Sequence, residues 1–268
     1  MPDAITEENQ EKSQMRLNYE TYGEGHPLVI LHGLFGSLEN WRTIGKELGR
    51  HYRVFALDLR NHGKSPHADD FDYATMAEDL HAFVEEQSLS RIFLLGHSMG
   101  GKVAMQFSVT WPELVEKLVV VDMSPKEYNP QHREILEAML SLHPERFTER
   151  KEVDHALSSA IKDSATRLFL LKNLVADERG RFAWRLNLKA IARNYGDLVK
   201  GIPAGRAFDG PTLFMKGENS NYIRQEDVSR IKHLFPAAYV VSVPDAGHWV
   251  HAENPTFFLS SVIAFLHS

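Results

Sequence analysis

Four short runs in the first half of the chain, PLVILHG (27–33), YRVFALDL (52–59), RIFLLG (91–96) and LVVVDM (118–123), are apolar along nearly their whole length. Such runs are too short for ordinary helices and show no alternation, which predicts strands buried on both faces of a parallel sheet. The segments between them have helical spacing. Trp41, Ile44 and Leu48 share one face of SLENWRTIGKELGR, and Met76, Leu80 and Phe83 share one face of YATMAEDLHAFVEEQSL. Strand and helix alternating in this way build βαβ units, and these build an open α/β sheet with helices on both faces. MRLNYETYG (15–23) alternates more, as an antiparallel edge strand would.

The rhythm stops after Asp122. From Lys126 to Phe208 no strand is expected, and QHREILEAMLSL, EVDHALSSAI, SATRLFLLKNLVA and FAWRLNLKAIARNY all read as helices. PTLFMKG (211–217) and AYVVSVPDAGH (238–248) then resume the strands around a helical EDVSRIKHLF, and NPTFFLSSVIAFL closes the chain as a helix. The expected organisation is a flexible polar tail over 1–14, a core formed by 15–125 and 209–268, and a helical cap over 126–208 inserted between two late strands. An insertion at that point would cover the carboxyl ends of the strands, where open α/β sheets bind ligands.

Gly96-His97-Ser98-Met99-Gly100 lies where the third of these strands meets its helix. A G-x-S-x-G turn in that setting forces its serine into a strained conformation that only small neighbours allow, and it exposes the hydroxyl. The free N–H groups of the following helix point at the same place. Ser98 is therefore the expected nucleophile. A serine needs a base, and His248, in the Asp245-Ala246-Gly247-His248-Trp249 loop after the last strand, stands where the order nucleophile, acid, histidine places it. Charge developing on a carbonyl oxygen calls for two positioned donors. The backbone N–H of Met99 is one; the other comes from His32-Gly33-Leu34-Phe35-Gly36, with Leu34 favoured and Phe35 as the fallback.

Other chemistries find less support. With no cysteine the chain has no thiol nucleophile, disulfide or cysteine-based metal site. The fourteen histidines are scattered, and the one tight pair, His248 and His251, lacks zinc-helix spacing, so no metal and no cofactor are expected. A net charge of −6 carries no basic patch for nucleic acid, and no stretch approaches a membrane span. The polar, acidic N-terminus has neither a basic nor an apolar signal region, and with the absence of cysteine this leads to an expected cytoplasmic location.

HGLFGS (32–37), DLRNHGKS (58–65), GHSMGG (96–101) and DAGHWVHAENP (245–255) together resemble the α/β-hydrolase superfamily. More narrowly, HGLFGS with LRNHGKS and FAWRLNL is similar to the small bacterial esterases of the YbfF type and their ABHD-eleven-like eukaryotic relatives. The resemblance covers nearly the whole chain beyond the tail. It implies hydrolysis of short- to medium-chain carboxylic esters, with a small acyl ester as the substrate.

In many members of that superfamily the catalytic acid follows the strand after the cap, in a G-E-x-D turn. Here the turn reads Gly217-Glu218-Asn219-Ser220, with serine at the acid position. A serine hydroxyl carries no charge to stabilise imidazolium. Asp122, at the end of LVVVDM, is one strand earlier, and the resemblance implies that an acid at that strand tip reaches the same histidine. Asp122 is the expected acid and Ser220 an auxiliary hydrogen-bond partner of His248. Glu218 is a weaker substitute, and Asp245 serves its own turn. Phe35, His97, Trp184 and Trp249 are expected around the substrate, with Phe169, Leu170 and Leu171 contributing from the cap.

The leading expectation is a serine carboxylesterase acting through an acyl-enzyme. Thioesterases, lactonases and carbon–carbon hydrolases share the same core residues, and a receptor of this fold can keep a whole triad. Dehalogenase and epoxide hydrolase chemistry is disfavoured, because both need a carboxylate where this chain has Ser98.

Overall fold

The apolar runs become strands in the computed structural model, which describes residues 15–203 and 205–268. The tail expected over 1–14 lies outside the described residues. The strands are β1 (Tyr19–Tyr22), β2 (Pro27–Leu31), β3 (Arg53–Leu57), β4 (Ile92–His97), β5 (Val115–Val121), β6 (Leu174–Ala176), β7 (Phe182–Trp184), β8 (Thr212–Gly217) and β9 (Ala238–Val243). Seven of them form one sheet in the order β1-β3-β2-β4-β5-β8-β9. All its pairings are parallel except that of β1, which runs antiparallel to β3 at the edge as its alternation predicts.

The helices are α1 (Arg42–Leu48), α2 (Tyr73–Glu86), α3 (Met99–Thr110), α4 (Arg133–Ser141), α5 (Arg150–Leu157), α6 (Ser164–Leu171), α7 (Leu188–Arg193), α8 (Tyr195–Leu198), α9 (Val228–Leu234), α10 (Val250–Glu253) and α11 (Pro255–His267). Local chemistry sets several of their starts. Asp72 accepts the N–H of Thr75 ahead of α2, and Asn254 accepts that of Phe257 ahead of α11, where Pro255 occupies the first turn. None of these helices is long and apolar enough to cross a membrane.

The sheet is apolar on both sides because helices cover both sides. Val29 and Leu31 of β2 join the core shared with Leu80 of α2 and Phe107 of α3, whereas Leu28 and Ile30 join the one shared with Ile44 of α1 and Phe258 of α11. That double burial is why the strand runs show no polar alternation.

Strand order places the functional crevice. From β2 the chain crosses to β3 on one side, and from β4 it crosses to β5 on the other. The carboxyl ends of the adjacent β2 and β4 thus flank a topological switch point. His32 follows β2, Ser98 follows β4, Asp122 follows β5, and the loop carrying His248 follows β9.

Between β5 and β8 the chain leaves the sheet and forms α4 to α8, but this segment is not wholly helical. β6 and β7 pair antiparallel with each other, Leu174 opposite Trp184 and Ala176 opposite Phe182. The helix expected over FAWRLNLKAIARNY therefore starts only at Leu188. The cause is a tight turn at 177–181. Asp177 accepts the N–H groups of Arg179 and Arg181, and Gly180 takes a left-handed φ of 75°. Phe182, Trp184 and Leu186 pack towards the core, with exposed Ala183 between the first two, a period of two inside a stretch that also fits a helix.

Both ends of this excursion are tied to α3. Lys102 is fully buried, and its ammonium donates to the carbonyls of Lys126 (2.5 Å) and Lys200 (2.8 Å). Burial pushes its pKa down to about 7.

Candidate active site

Ser98 sits between β4 and α3 with φ 53° and ψ −117°, a left-handed conformation that costs a non-glycine residue on the order of 1–3 kcal/mol. Its neighbours explain how the turn closes. A Cβ on Gly96 would lie 2.2 Å from the carbonyl oxygen of Gly100, and one on Gly100 would lie 2.5 Å from that of His32. The glycines are required by contact, since backbone occupies the space of their missing side chains.

His248 joins Ser98 to Asp122. Its Nε2 lies 3.0 Å from Ser98 Oγ and its Nδ1 lies 2.7 Å from Asp122 Oδ2. An ionised carboxylate only accepts, so Nδ1 carries the proton and Nε2 is free to accept from the serine hydroxyl. Asp122 is fully buried at the end of β5 with φ 46°. Its Oδ1 accepts from the N–H of Gly217 (3.1 Å), and its Oδ2 accepts from Ser220 Oγ (2.5 Å) as well as from His248. Ser220 is thus a partner of Asp122, not of His248 as its position in the chain suggested. A hydroxyl at that strand tip meets the carboxylate from the neighbouring tip before it meets the imidazole. The ring of Tyr222 stacks on His248, centroids 4.0 Å apart and 19° from parallel.

Among the described residues, the N–H groups of Leu34 and Met99 have no acceptor. That of Phe35 is already engaged, donating to His62 Nε2 at 3.2 Å, which removes the fallback. Glu218 accepts the N–H of Asp245, whose φ of 57° shapes the turn, and it is Asp122 that hydrogen-bonds the imidazole.

A cavity of about 410 Å³ opens at Ser98. Phe35, His97, Phe169, Leu170 and Trp249 line it, and so does Leu168. Trp184 does not, because the β6–β7 hairpin turns it against α4, where its indole N–H donates to the carbonyl of Met139 (3.2 Å). Leu171 is buried in the core and also does not line it. Sequence reasoning missed Tyr222, His62 and His132. The last borders the cavity from the α4 side and is held by burial at a pKa of about 4.

Four other histidines near the site hold fixed contacts. His97 Nε2 donates to the carbonyl of His248 (2.9 Å), fixing the loop that carries His248. His32 donates from Nδ1 to the Gly33 carbonyl (2.8 Å) and accepts the Leu59 N–H at Nε2 (3.0 Å). His62 donates from Nδ1 to the Arg60 carbonyl (3.0 Å) while it holds Phe35. His251 stacks on Trp41 at 4.1 Å. Burial lowers the pKa of His32 to about 4 and those of His62 and His251 to about 3. A proton added to His32 or His62 would also face a donor.

These three rings bind protons near pH 6.5 when unfolded but not when folded. Their contribution is therefore present above pH 6.5 and is lost as pH falls towards 4. At pH 5.5 each ring should cost roughly 1 kcal/mol of stability relative to pH 8, several kcal/mol in all. Urea midpoints at the two pH values check this; equal midpoints would contradict neutral burial.

The alpha/beta hydrolase fold family matches residues 26–255. The sn-1-specific diacylglycerol lipase ABHD11 of Xenopus laevis is 43% identical, covering 94% of this chain and 84% of that protein. Esterase YbfF of Escherichia coli is 32% identical, covering 90% of this chain and 93% of that one. Among solved structures, a marine microorganism esterase superposes with a TM-score of 0.91 at 42% identity, covering 94% of this chain and 99% of its own.

Proposed function

The chain belongs to the α/β-hydrolase fold family and is a carboxylic ester hydrolase, and we propose that Ser98, His248 and Asp122 carry its reaction on short- to medium-chain acyl esters. The observation that carries this reading is the unbroken path from Ser98 Oγ through His248 to Asp122, at 3.0 Å and 2.7 Å. Ser98 Oγ attacks the ester carbonyl while His248 Nε2 takes its proton. The carbonyl oxygen, now negative, is held by the N–H groups of Leu34 and Met99. Asp122 stabilises the imidazolium, and Ser220 and Gly217 hold Asp122 in place.

His248 then hands the proton to the alcohol oxygen, the carbon–oxygen bond breaks, and an acyl group remains on Ser98. A water that gives its proton to His248 releases the acid by the reverse sequence. Residues 126–208 act as a cap, with α6 supplying Phe169 and Leu170 to the cavity wall. A chain without cysteine suits a reducing compartment, which supports a cytoplasmic location.

An alkyl fluorophosphonate tests the assignment. It should add once per chain, on the peptide containing Ser98, and abolish ester hydrolysis. His248→Ala should slow that labelling. Addition elsewhere with hydrolysis intact would sink the reading.

A further inference from the structure

Two cavities meet at Ser98, and they are unequal. The larger, about 410 Å³, reaches His248 and Trp249 and runs along Ile135, Leu168 and Phe169. The smaller, about 50 Å³, lies beside Met99 and is floored by Tyr73, Met123, Tyr195 and Leu198, each less than a tenth exposed. Ser98 and Leu34 border both, whereas His248 borders only the larger of the two. A third, polar cavity of about 500 Å³ touches His248 on the side of Ser220 but does not reach Ser98. It cannot receive a group bonded to the carbon under attack.

The attacked carbon carries four substituents: Ser98 Oγ, the oxyanion, the leaving oxygen and the acyl chain. The first two are placed by Ser98 and by the N–H pair. The leaving oxygen must reach His248 Nε2 to be protonated, so the alcohol lies on the side of the cavity that contains His248. Resting on the serine-esterase reading above, we propose that the alcohol moiety occupies the large apolar cavity and that the acyl chain is confined to the small one. A single water needs roughly 10–15 Å³ of such space, so the small cavity has room for about three to five non-hydrogen atoms. The substrate class is then acetyl to butyryl esters of bulky apolar alcohols. Met123 and Leu198 set the acyl limit, and Leu168 and Phe169 shape the alcohol site.

Hexyl acetate and methyl heptanoate test this directly. They are isomers with the same atoms and nearly the same hydrophobicity, and they differ in which side of the ester carries the long chain. The wild-type protein should favour hexyl acetate in kcat/KM by at least about tenfold, since a methylene that does not fit a pocket is by itself worth roughly that much. Leu198→Ala, which keeps the backbone carbonyl that receives the Tyr73 hydroxyl, should narrow the gap by speeding methyl heptanoate. Equal rates on the two isomers, or a preference for methyl heptanoate, would overturn the assignment while leaving the serine mechanism standing. If Ser98→Ala hydrolysed both as fast as wild type, the mechanism itself would fail and take the assignment with it.

Discussion

Replacing Ser98 with alanine is expected to lower kcat by about a millionfold, leaving KM and the fold close to those of the wild-type protein. In the proposed mechanism the hydroxyl oxygen becomes bonded to the acyl group, so nothing else in the site can stand in for it. Residual turnover would come from the Leu34 and Met99 N–H groups, which still polarise the carbonyl for attack by water. The same residue offers a second readout. Its φ of 53° is strained for a side-chain-bearing residue, and Ser98→Gly should relieve this and raise stability by about 1 kcal/mol. Ester assays and thermal melts on the two variants separate chemistry from strain. A loss below about a hundredfold in Ser98→Ala would remove Ser98 as nucleophile.

Asp122→Asn should cost about 10⁴ in kcat. In the wild-type protein the two carboxylate oxygens accept three hydrogen bonds, from His248, Ser220 and Gly217. An asparagine offers one acceptor and one amide donor. Whichever way it turns, it sets N–H against the Gly217 amide or against the imidazole proton. In the second case the ring adopts the other tautomer and Nε2 can no longer accept from Ser98. Adding Ser220→Asp restores a carboxylate at the adjacent strand tip, within reach of the same group of donors, and should recover part of the lost rate. Steady-state kinetics on the single and double variants decide the point. An Asp122→Asn enzyme within tenfold of wild type would exclude Asp122 from the reaction.

Ser98 and His248 stand out in the sequence because both needs are local. A strained serine demands small neighbours, and the base must follow a late strand. Asp122 could be named because the resemblance to α/β-hydrolases marks Ser220 as the usual acid position and implies that an acid one strand earlier can serve instead. What that serine touches was not legible, since residue spacing says nothing about which of two adjacent groups a hydroxyl meets first. The sheet was read from its unbroken apolar runs, and its edge strand from alternation. The hairpin of β6 and β7 escaped because Phe182, Trp184 and Leu186 satisfy a period of two within a segment whose second half is helical. Misreading that period misplaced Trp184. His62, His132 and Tyr222 act through contacts between elements distant in sequence, and no motif announces them.

Lys102 bears on how so long an excursion coexists with a cooperative core. Its ammonium holds the carbonyls of Lys126 and Lys200 on one atom, so the outgoing and returning chains meet on the helix that carries the serine. Closing a loop costs entropy that grows only with the logarithm of its length. With its ends joined at one point, the excursion acts on the sheet as a single closed ring. Residues can be inserted into or removed from its far turns at a cost of tenths of a kcal/mol in closure entropy, provided the knot at Lys102 is kept.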